Sequence, residues 1–322
     1  LTGPSMGYDP YDYYDLGEFD QKGTIPTWFG ARSELESLIQ AAHSHKLSVI
    51  ADMVFNHNSG ADAQELNPLI NQMRWTLFNP KSEKFPRNWE CFHPCMYESW
   101  DNMTFGDMPD LAHRNPYVYA ELLKLARWLI EDIGFDGFRY DFVKGYGADT
   151  ITAVQEYRYQ RDGKQFVPYG VAEFWDNAHA IENWVDLANF SNTNPVEAFD
   201  FPQREMLKAM CDSYGFSLKN LTTWDTVVRR EEQNAVSFVE NHDLRDEGRP
   251  IINDKLLAYS YILTHEGYPC VFWHDYFNLN LALGDTPNGI VALVDAHEKY
   301  AGGDTNVLYV DDNLYVMQRE GY

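Results

Sequence analysis

The fold is decided by residues 134–146, which have the sequence GFDGFRYDFVKGY. We predict that this stretch forms a short buried strand that ends in polar residues. Side chains alternate along a strand, so Arg139 and Asp141 share one face while three aromatic residues share the other. An arginine two residues before an aspartate can hold that carboxylate ionised and fix its orientation. The pair therefore indicates either an active site or a structural ion pair, and these residues alone leave both interpretations open.

Composition narrows the class of protein. The chain has 322 residues, of which 44% are hydrophobic and 23% charged, a balance typical of globular domains. Its 49 acidic and 25 basic residues give a net charge of −24, and no run of Lys or Arg is present, so we expect no nucleic-acid partner. No apolar run approaches the ~20 residues of a membrane helix, so we expect no membrane partner either.

Strand-like and helix-like segments alternate along most of the chain, which predicts an α/β protein with a parallel sheet. A doubly wound sheet would normally carry a glycine-rich phosphate loop after its first strand, and none is present. We therefore predict a (β/α)8 TIM barrel, in which polar strand ends meet on one face. The predicted strands are 47–54, part of 134–146, 166–173, 197–201, 235–240 and 269–273, and the predicted helices include 116–133, 148–160, 178–188 and 202–214.

The barrel prediction divides the chain into four parts. Residues 1–57 run from the loop after strand 2 to strand 3, and 58–112 form a small inserted domain after that strand. Residues 113–300 hold strands 4 to 8, and 301–322, with a hairpin around Asp311-Asp312-Asn313, open a C-terminal β-sheet domain. The first two barrel strands would then precede residue 1, so we expect residues 1–322 alone to fold poorly and to be inactive.

Acidic and histidine residues collect at four of the predicted strand ends. They are Asp52, Asn56 and His57, then Arg139 and Asp141, then Glu173, and finally His242 and Asp243. Three of these carboxylates, Asp141, Glu173 and Asp243, come from three strands and suit two-metal hydrolysis, magnesium-dependent chemistry or glycoside cleavage. Because Arg139 already neutralises Asp141, the metal interpretations are disfavoured. Glycoside cleavage needs one ionised and one protonated carboxyl group, and burial of Glu173 beside Phe174 and Trp175 would supply the second.

Four segments resemble the α-amylase family of glycoside hydrolases. They read DMVFNH at 52–57, GFRYD at 137–141, EFWD at 173–176 and FVENHD at 238–243, with MPDL at 108–111 between the first two. Their order and spacing agree with the family over nearly the whole chain. The segments GYDP at 7–10, FHP at 92–94 and VKGY at 143–146 are most similar to archaeal and plant-type members.

The resemblance implies a role for each matching residue. Asp141 matches the nucleophile, Glu173 the general acid/base and Asp243 the third carboxylate, which grips sugar hydroxyls. Retention would follow, with the Asp141 and Glu173 carboxyl groups about 5–5.5 Å apart. The matching substrate-binding residues are Arg139, which orients the nucleophile, Tyr8, which stacks under the sugar, the histidines His57 and His242, and Lys144 on the leaving-group side.

The resemblance also implies a structural calcium ion between the barrel and the inserted domain. Its matching ligands are the side chains of Asn56, Asp101 and Asp110 and the carbonyl oxygen of Gly145. Oxygen ligands from distant segments suit a hard cation of this kind. Nearby, Cys91 and Cys95 could form a local disulfide, part of a metal cluster or, as we favour, two free thiols.

The expected activity is endo-hydrolysis of α-1,4-glucan by a calcium-containing, secreted and monomeric α-amylase. A second possibility within the family is an α-glucosidase or a transglycosylase, because residues beyond the cleavage subsite decide between them. A third possibility is an inactive homologue that only binds carbohydrate. All three catalytic carboxylates are present, which disfavours the third possibility.

Overall fold

The structure is a computed structural model that describes residues 5–97, 103–284 and 289–321. The chain divides into two compact units. The first consists of residues 1–173 and 187–196, and the second of residues 174–186 and 197–322. Each unit is built around parallel strands.

The helices and strands alternate over most of the chain, as predicted. The helices are α1 (Arg32–Ser44), α2 (Pro116–Trp128), α3 (Ala148–Glu156), α4 (Ala178–Asn189), α5 (Phe201–Asp212), α6 (Val227–Arg230), α7 (Lys255–Ile262) and α8 (Ile290–Tyr300). The strands are β1 (Ile50–Met53), β2 (Ala63–Asn67), β3 (Gln72–Leu77), β4 (Gly137–Tyr140), β5 (Tyr159–Arg161), β6 (Lys164–Phe166), β7 (Tyr169–Ala172), β8 (Glu197–Phe199), β9 (Ala235–Phe238), β10 (Tyr268–Cys270), β11 (Thr305–Val310) and β12 (Tyr315–Arg319).

In the first unit, β1, β4 and β7 run parallel, with β4 in the middle. Every residue of β4 is buried, as expected for a parallel strand that is covered on both faces. Helix α2 precedes it, and Asn115 caps that helix by accepting a hydrogen bond from the N–H of Tyr117 at 3.0 Å. After one wider turn over Leu129–Ile133, Gly134 adopts a left-handed φ of 101°, which lets the chain leave the helix and enter β4.

Two antiparallel hairpins accompany these strands. Strands β2 and β3 pair within the segment predicted as an inserted domain, whose boundaries stay a prediction. Strands β5 and β6 correct the predicted helix over 148–160, because α3 ends at Glu156. The reason is the turn at Asp162 and Gly163, both at positive φ, which forms a two-residue hairpin connection and ends the helical pattern.

In the second unit, β9 pairs in parallel with β8 and with β10. Asp200 follows β8 and caps α5, because its side chain accepts from the N–H of Gln203 at 2.9 Å. An apolar core lies against this sheet. Its buried members are Met206, Leu207, Leu221, Val239, Ile251, Ala258, Tyr259, Ile262, Leu263 and Ile290.

The last strands of the chain form the predicted hairpin. Strands β11 and β12 are antiparallel, and Asp311 Oδ1 accepts hydrogen bonds from the N–H groups of Asn313 and Leu314 at 2.8 Å in the turn between them. Whether this hairpin opens a separate C-terminal domain stays a prediction. Throughout the described ranges, every helix is too short or too polar to cross a membrane.

Candidate active site

The polar residues of the first unit gather at the carboxyl ends of its parallel strands. Asp52 in β1 lies opposite Arg139 in β4 in the sheet register. Asp141 follows β4 directly, and Glu173 follows β7 directly. Because the three strands are parallel and adjacent, these ends lie at the same edge.

One arginine contacts three carboxylates at this edge. Arg139 Nη1 lies 2.7 Å from Asp52 Oδ1 and 2.7 Å from Asp141 Oδ1, while Nη2 lies 2.9 Å from Glu173 Oε2. The Arg139 and Asp141 side chains are each 9% exposed, and that of Asp52 is 43% exposed. The predicted Arg139–Asp141 pair is therefore present, but the arginine is shared, so its charge neutralises only one of the three acids.

This sharing affects the acidity of Asp141. Burial raises the pKa of Asp141 to about 6, Arg139 opposes that rise, and the charge of Asp52 adds to it. A hydrogen bond with Glu173 lowers the Asp141 pKa. A hydrogen bond between two carboxyl groups needs a proton on one of them, so the pair shares a single proton when this bond forms. The arrangement can therefore present an ionised carboxylate beside a protonated carboxylic acid.

The backbone after Asp141 is bound to Glu173. The N–H of Phe142 donates to Glu173 Oε2 at 2.9 Å, and the N–H of Val143 donates to the Glu173 carbonyl oxygen at 3.2 Å. Phe142 adopts φ 45° and ψ 50°, a left-handed conformation that is uncommon for a bulky residue. Its ring packs edge-on against Phe105 at a centroid distance of 5.5 Å. This backbone conformation brings the end of β4 against the Glu173 carboxyl group.

Tyr8 and His57 lie at the same edge. The Tyr8 hydroxyl donates to Asp52 Oδ2 at 2.6 Å, and the Arg139 guanidinium lies 5.6 Å from the centre of the Tyr8 ring. His57 is fully buried, and its Nε2 donates to the Tyr8 carbonyl oxygen at 2.8 Å, so Nδ1 is the unprotonated nitrogen. Burial lowers the pKa of His57 below its usual range. His57 therefore holds the Tyr8 loop in this structure, and its predicted contact with substrate stays a prediction.

Phe105 is a residue of this site that sequence reasoning missed. Its ring stacks on His57 with a centroid distance of 4.7 Å and an interplanar angle of 6°. It lies in the long irregular segment before α2, where no periodicity identifies contacts.

Lys144, which we predicted as a substrate contact, lies half-buried in the short turn Val143–Gly145 just after β4.

The predicted calcium ligands lie partly within the described residues. Asn56 and Asp110 are buried on neighbouring segments, since the N–H of Leu111 donates to the Asn56 carbonyl oxygen at 2.8 Å and His57 forms a β-bridge with Asp110. A Cβ added at Gly145 would lie 1.9 Å from Asn56 Oδ1, so Asn56 and Gly145 are also adjacent. The fourth predicted ligand, Asp101, lies outside the described residues.

One observation on Asn56 fits a cation. Its Oδ1 atom is buried and, among the described residues, has no hydrogen-bond partner. A buried amide oxygen of this kind is a suitable ligand for calcium. Across the described ranges, no group of three or more His, Cys, Asp or Glu residues is placed to hold a metal ion. The predicted site is consistent with this result because it relies on amide and carbonyl oxygens as well as carboxylates.

Cys91 and Cys95 are both free thiols, as we favoured from the sequence. Burial raises the pKa of Cys91 to about 11, so this thiol is protonated at neutral pH. Cys95 Sγ lies 3.6 Å from His93 Nδ1. Neither cysteine contributes to the acidic edge described above.

The other two predicted site residues, His242 and Asp243, lie in the second unit. They follow β9 in a short turn that Asn241 caps by accepting from the N–H of Asp243 at 3.0 Å. His242 Nε2 lies 3.4 Å from Asp243 Oδ2, and the two side chains are 33% and 41% exposed. Arg249 Nη1 donates to the Asp243 carbonyl oxygen at 3.4 Å. Asp243 is therefore accessible at the carboxyl end of a parallel strand, as predicted.

Comparison with known proteins gives a consistent family assignment. Residues 3–272 match the family model described as "Alpha amylase, catalytic domain". The chain is 30% identical over 377 residues to the alpha-amylase of Bacillus licheniformis, covering 98% of this chain and 71% of that protein. It is 31% identical over 373 residues to the glucan 1,4-alpha-maltohexaosidase of Bacillus sp. strain 707, with 98% and 70% covered. Probable alpha-amylase 2 of Arabidopsis thaliana is 25% identical over 342 residues, with 96% and 73% covered.

Solved structures agree on the fold. The Anoxybacillus alpha-amylase aligns with a TM-score of 0.64 at 20% identity, covering 97% of this chain and 68% of that one. The alpha-amylase of Geobacillus thermoleovorans complexed with acarbose aligns with a TM-score of 0.63 at 21% identity, with 98% and 70% covered. At these identities the likeness concerns the fold alone. Together with the family match it confirms the predicted (β/α)8 barrel class.

Proposed function

The chain belongs to the α-amylase family, and from this membership we propose that it hydrolyses α-1,4-glucosidic bonds within starch- or glycogen-type polysaccharides. The reaction we propose is endo-acting and retains the anomeric configuration through a covalent glycosyl-enzyme. The relatives named above as alpha-amylases support the substrate class. The geometry of the acidic edge supports the chemistry.

The observation that carries the proposal is the contact of one buried arginine with two carboxyl groups. Arg139 binds Asp141 through Nη1 and Glu173 through Nη2, and none of the three side chains is more than 11% exposed. A retaining glycosidase requires an ionised nucleophile beside a protonated acid. The arginine orients both groups, and the hydrogen bond between Asp141 and Glu173 needs one proton, which we propose Glu173 carries.

The steps follow from these positions. Asp141 attacks the anomeric carbon while Glu173 donates its proton to the glycosidic oxygen, which leaves as an alcohol. Glu173, now ionised, then removes a proton from water, and this water cleaves the Asp141–sugar ester. Two displacements at the same carbon give net retention.

The remaining predicted residues complete this proposal. Asp243 would bind sugar hydroxyls more tightly in the distorted transition state, and His242 beside it would contribute a further hydrogen bond. The Tyr8 ring would stack on the apolar face of the sugar. Lys144 would contact the leaving-group side, and His57 would contact the sugar directly or hold Tyr8 in place.

Specificity within the family is a separate question. One relative is named a maltohexaosidase, and the cyclomaltodextrin glucanotransferase of Geobacillus stearothermophilus is 27% identical over 335 residues. A product-specific hydrolase or a transglycosylase is therefore the second candidate function. Soluble starch distinguishes the candidates, since rapid viscosity loss indicates endo-hydrolysis, cyclic products indicate transfer, glucose alone indicates an α-glucosidase, and an absence of products indicates a binding homologue.

The test of the chemistry uses Asp141→Asn. We expect the wild-type protein to release products that are first α-anomers by proton NMR, and Asp141→Asn to fall to background. The matched control is Asp132→Asn, which makes the same change at an exposed carboxylate just before the same strand and should keep wild-type turnover. Activity that survives in Asp141→Asn, or β-anomers as first products, overturns the proposal.

We also propose a structural calcium ion. The residues that would hold it are Asn56, Asp110 and Gly145, with Asp101 as the fourth. Support comes from the buried Asn56 Oδ1 atom and from the close approach of Asn56 to Gly145. Bound there, the ion would join three chain segments and would take no part in bond cleavage.

Two further proposals concern the state of the protein. We propose that it is secreted and meets its polymeric substrate outside the cell. We also propose that it acts as a monomer. The net charge of −24 supports the second point, because like-charged copies repel. Light scattering after size exclusion and assay of the culture supernatant test these two points.

A further inference from the structure

Glu240 is a motif residue that the proposed chemistry leaves without a role. It lies two residues after β9 and three before Asp243, and its side chain is only 3% exposed. Its Oε2 atom lies 3.2 Å from Arg204 Nη2, and its Oε1 atom accepts from the N–H of Ile251 at 2.6 Å. A carboxylate this deeply buried needs such partners, because burial without them is costly.

Arg204, in α5, contacts both ends of the segment that carries Asp243. Its Nε atom donates to the Val239 carbonyl oxygen at 3.3 Å, just before Glu240. Its Nη2 atom donates to the Arg249 carbonyl oxygen as well as to Glu240. One rigid guanidinium therefore joins residues 239–240 to residue 249, which closes the segment between them into a loop of fixed width.

Further contacts to α5 fix the end of this loop at residues 250–253. Lys208 Nζ donates to the Pro250 carbonyl oxygen at 2.6 Å, and Asp212 Oδ1 accepts from the N–H groups of Ile252 and Asn253 at 3.1 and 2.8 Å. Arg249 itself donates back to the Asp243 carbonyl oxygen at 3.4 Å. Displacement of residues 249–253 would therefore be transmitted to Asp243.

Residues of opposite charge alternate in the network that contains Glu240. Lys255 Nζ lies 3.2 Å from Glu240 Oε1 and 3.0 Å from Asp275 Oδ1, and Asp275 also accepts from the Tyr259 hydroxyl at 2.7 Å. Two cations and two anions alternate as Arg204, Glu240, Lys255 and Asp275. Such a network has one satisfied arrangement, which makes it suitable for fixing a geometry.

We propose that Arg204 and Glu240 are positioning residues for Asp243. They act by joining the two ends of the segment 240–251, so that the Asp243 carboxylate is held where it binds the sugar. This inference rests on the proposed function, because it takes Asp243 to act in glycoside cleavage. It assigns Arg204 and Glu240 no contact with substrate.

The test compares Glu240→Gln with Glu205→Gln. Glutamine at 240 keeps the size and an acceptor for Ile251 but removes the charge that faces Arg204 and Lys255. Glu205 is the matched control, since it contacts Nη1 of the same arginine at 3.0 Å from a position that is 52% exposed. We expect Glu240→Gln to lower kcat on starch about 10- to 100-fold with KM changed less than about threefold, because misplaced groups lose transition-state contacts first. Glu205→Gln should stay within about twofold of wild type in both.

Hydrogen exchange supplies a readout that does not depend on activity. In Glu240→Gln the amides of 241–251 should exchange faster, while those of 137–146 keep wild-type rates. Unchanged exchange and kcat overturn the proposal. If Glu240→Gln does not fold, Arg204→Lys is measured by the same criteria, because lysine keeps the charge but cannot contact residues 239, 240 and 249 together. Failure of both variants to fold also overturns it, since the role is then general stability.

Failure of the proposed function would look different. A wild-type protein that cleaves no glucan removes the assignment of Asp243. Local loosening of 241–251 in Glu240→Gln would still show that the pair holds this segment. Cleavage by the wild type together with unchanged 241–251 exchange in the variant leaves the function intact and removes the positioning role alone.

Discussion

The Tyr8 hydroxyl donates to Asp52 Oδ2 across 2.6 Å, which places an aromatic ring and a half-exposed carboxylate on the same arginine. The other oxygen of Asp52 contacts Arg139 at 2.7 Å, as Asp141 does. Asp52 therefore competes with the proposed nucleophile for positive charge. Its effect on Asp141 can be measured.

Asp52→Asn should shift the pH dependence of kcat/KM. The charge of Asp52 raises the pKa of Asp141, so its removal lowers that pKa. Asp141 must be ionised to attack, and the acid limb of the profile should therefore move to lower pH. The control is Asp62→Asn, since Asp62 accepts from the Tyr11 hydroxyl at the same 2.6 Å but pairs with Lys22 instead of Arg139. An acid limb that stays in place or moves to higher pH in Asp52→Asn contradicts the shared-arginine account.

Glu173→Gln should discriminate between leaving groups. Starch needs a proton on the departing oxygen, so we expect kcat on starch to fall by about 10²- to 10⁴-fold. α-Maltosyl fluoride needs no such proton, and its turnover should fall far less. Glutamine can still accept from the Phe142 N–H, so the backbone contact at 2.9 Å has a replacement. Equal losses on both substrates would show that Glu173 is not the acid.

Asn56→Ala should abolish the stabilisation by calcium. At a free calcium concentration 100 times its Kd, a bound ion contributes about 2.7 kcal/mol to the free energy of unfolding. The Tm of the wild type should rise when calcium replaces a chelator, and that of Asn56→Ala should not. Asn58→Ala is the control, because Asn58 is equally buried and two residues away but is not a predicted ligand. A calcium-dependent rise that survives in Asn56→Ala argues against this site.

Asp200→Asn should change how stability depends on pH. Burial raises the pKa of Asp200 from 3.8 to about 6. A raised pKa means that this group's stabilisation is complete below pH 3.8 and is lost as pH rises through 6. Asparagine does not titrate, so the unfolding free energy of the variant relative to wild type should improve by about 1 kcal/mol between pH 5 and pH 7.5. Urea titrations at the two pH values measure this difference. A relative stability that is constant or falls with pH would be inconsistent with a buried carboxyl group whose pKa is raised.

Much of the first unit's site could be predicted because strand periodicity is local. The alternation in residues 134–146 places Arg139 and Asp141 on one face, and the structure pairs them at 2.7 Å. The other two carboxylate partners of that arginine could not be predicted in this way. Asp52 and Glu173 reach Arg139 through the register of β1, β4 and β7, which depends on pairing between distant segments.

Other features were missed for different physical reasons. The hairpin β5–β6 carries a clear turn signal in Asp162 and Gly163, which the helical pattern of α3 concealed. The full burial of His57 depends on the Tyr8 carbonyl and on Phe105, neither of which its own neighbourhood reveals. The arginine that holds Glu240 comes from α5, thirty-six residues earlier in the chain.

The left-handed backbone of Phe142 determines when the energetic cost of arranging the acidic edge is incurred. A bulky residue at φ 45° raises the energy of the folded chain, and contacts to Glu173 and Phe105 hold it there. The chain incurs this cost once, when it folds. In the proposed reaction, each cycle would then begin with Asp141 and Glu173 already side by side, so little reorganisation would be left for the reaction itself.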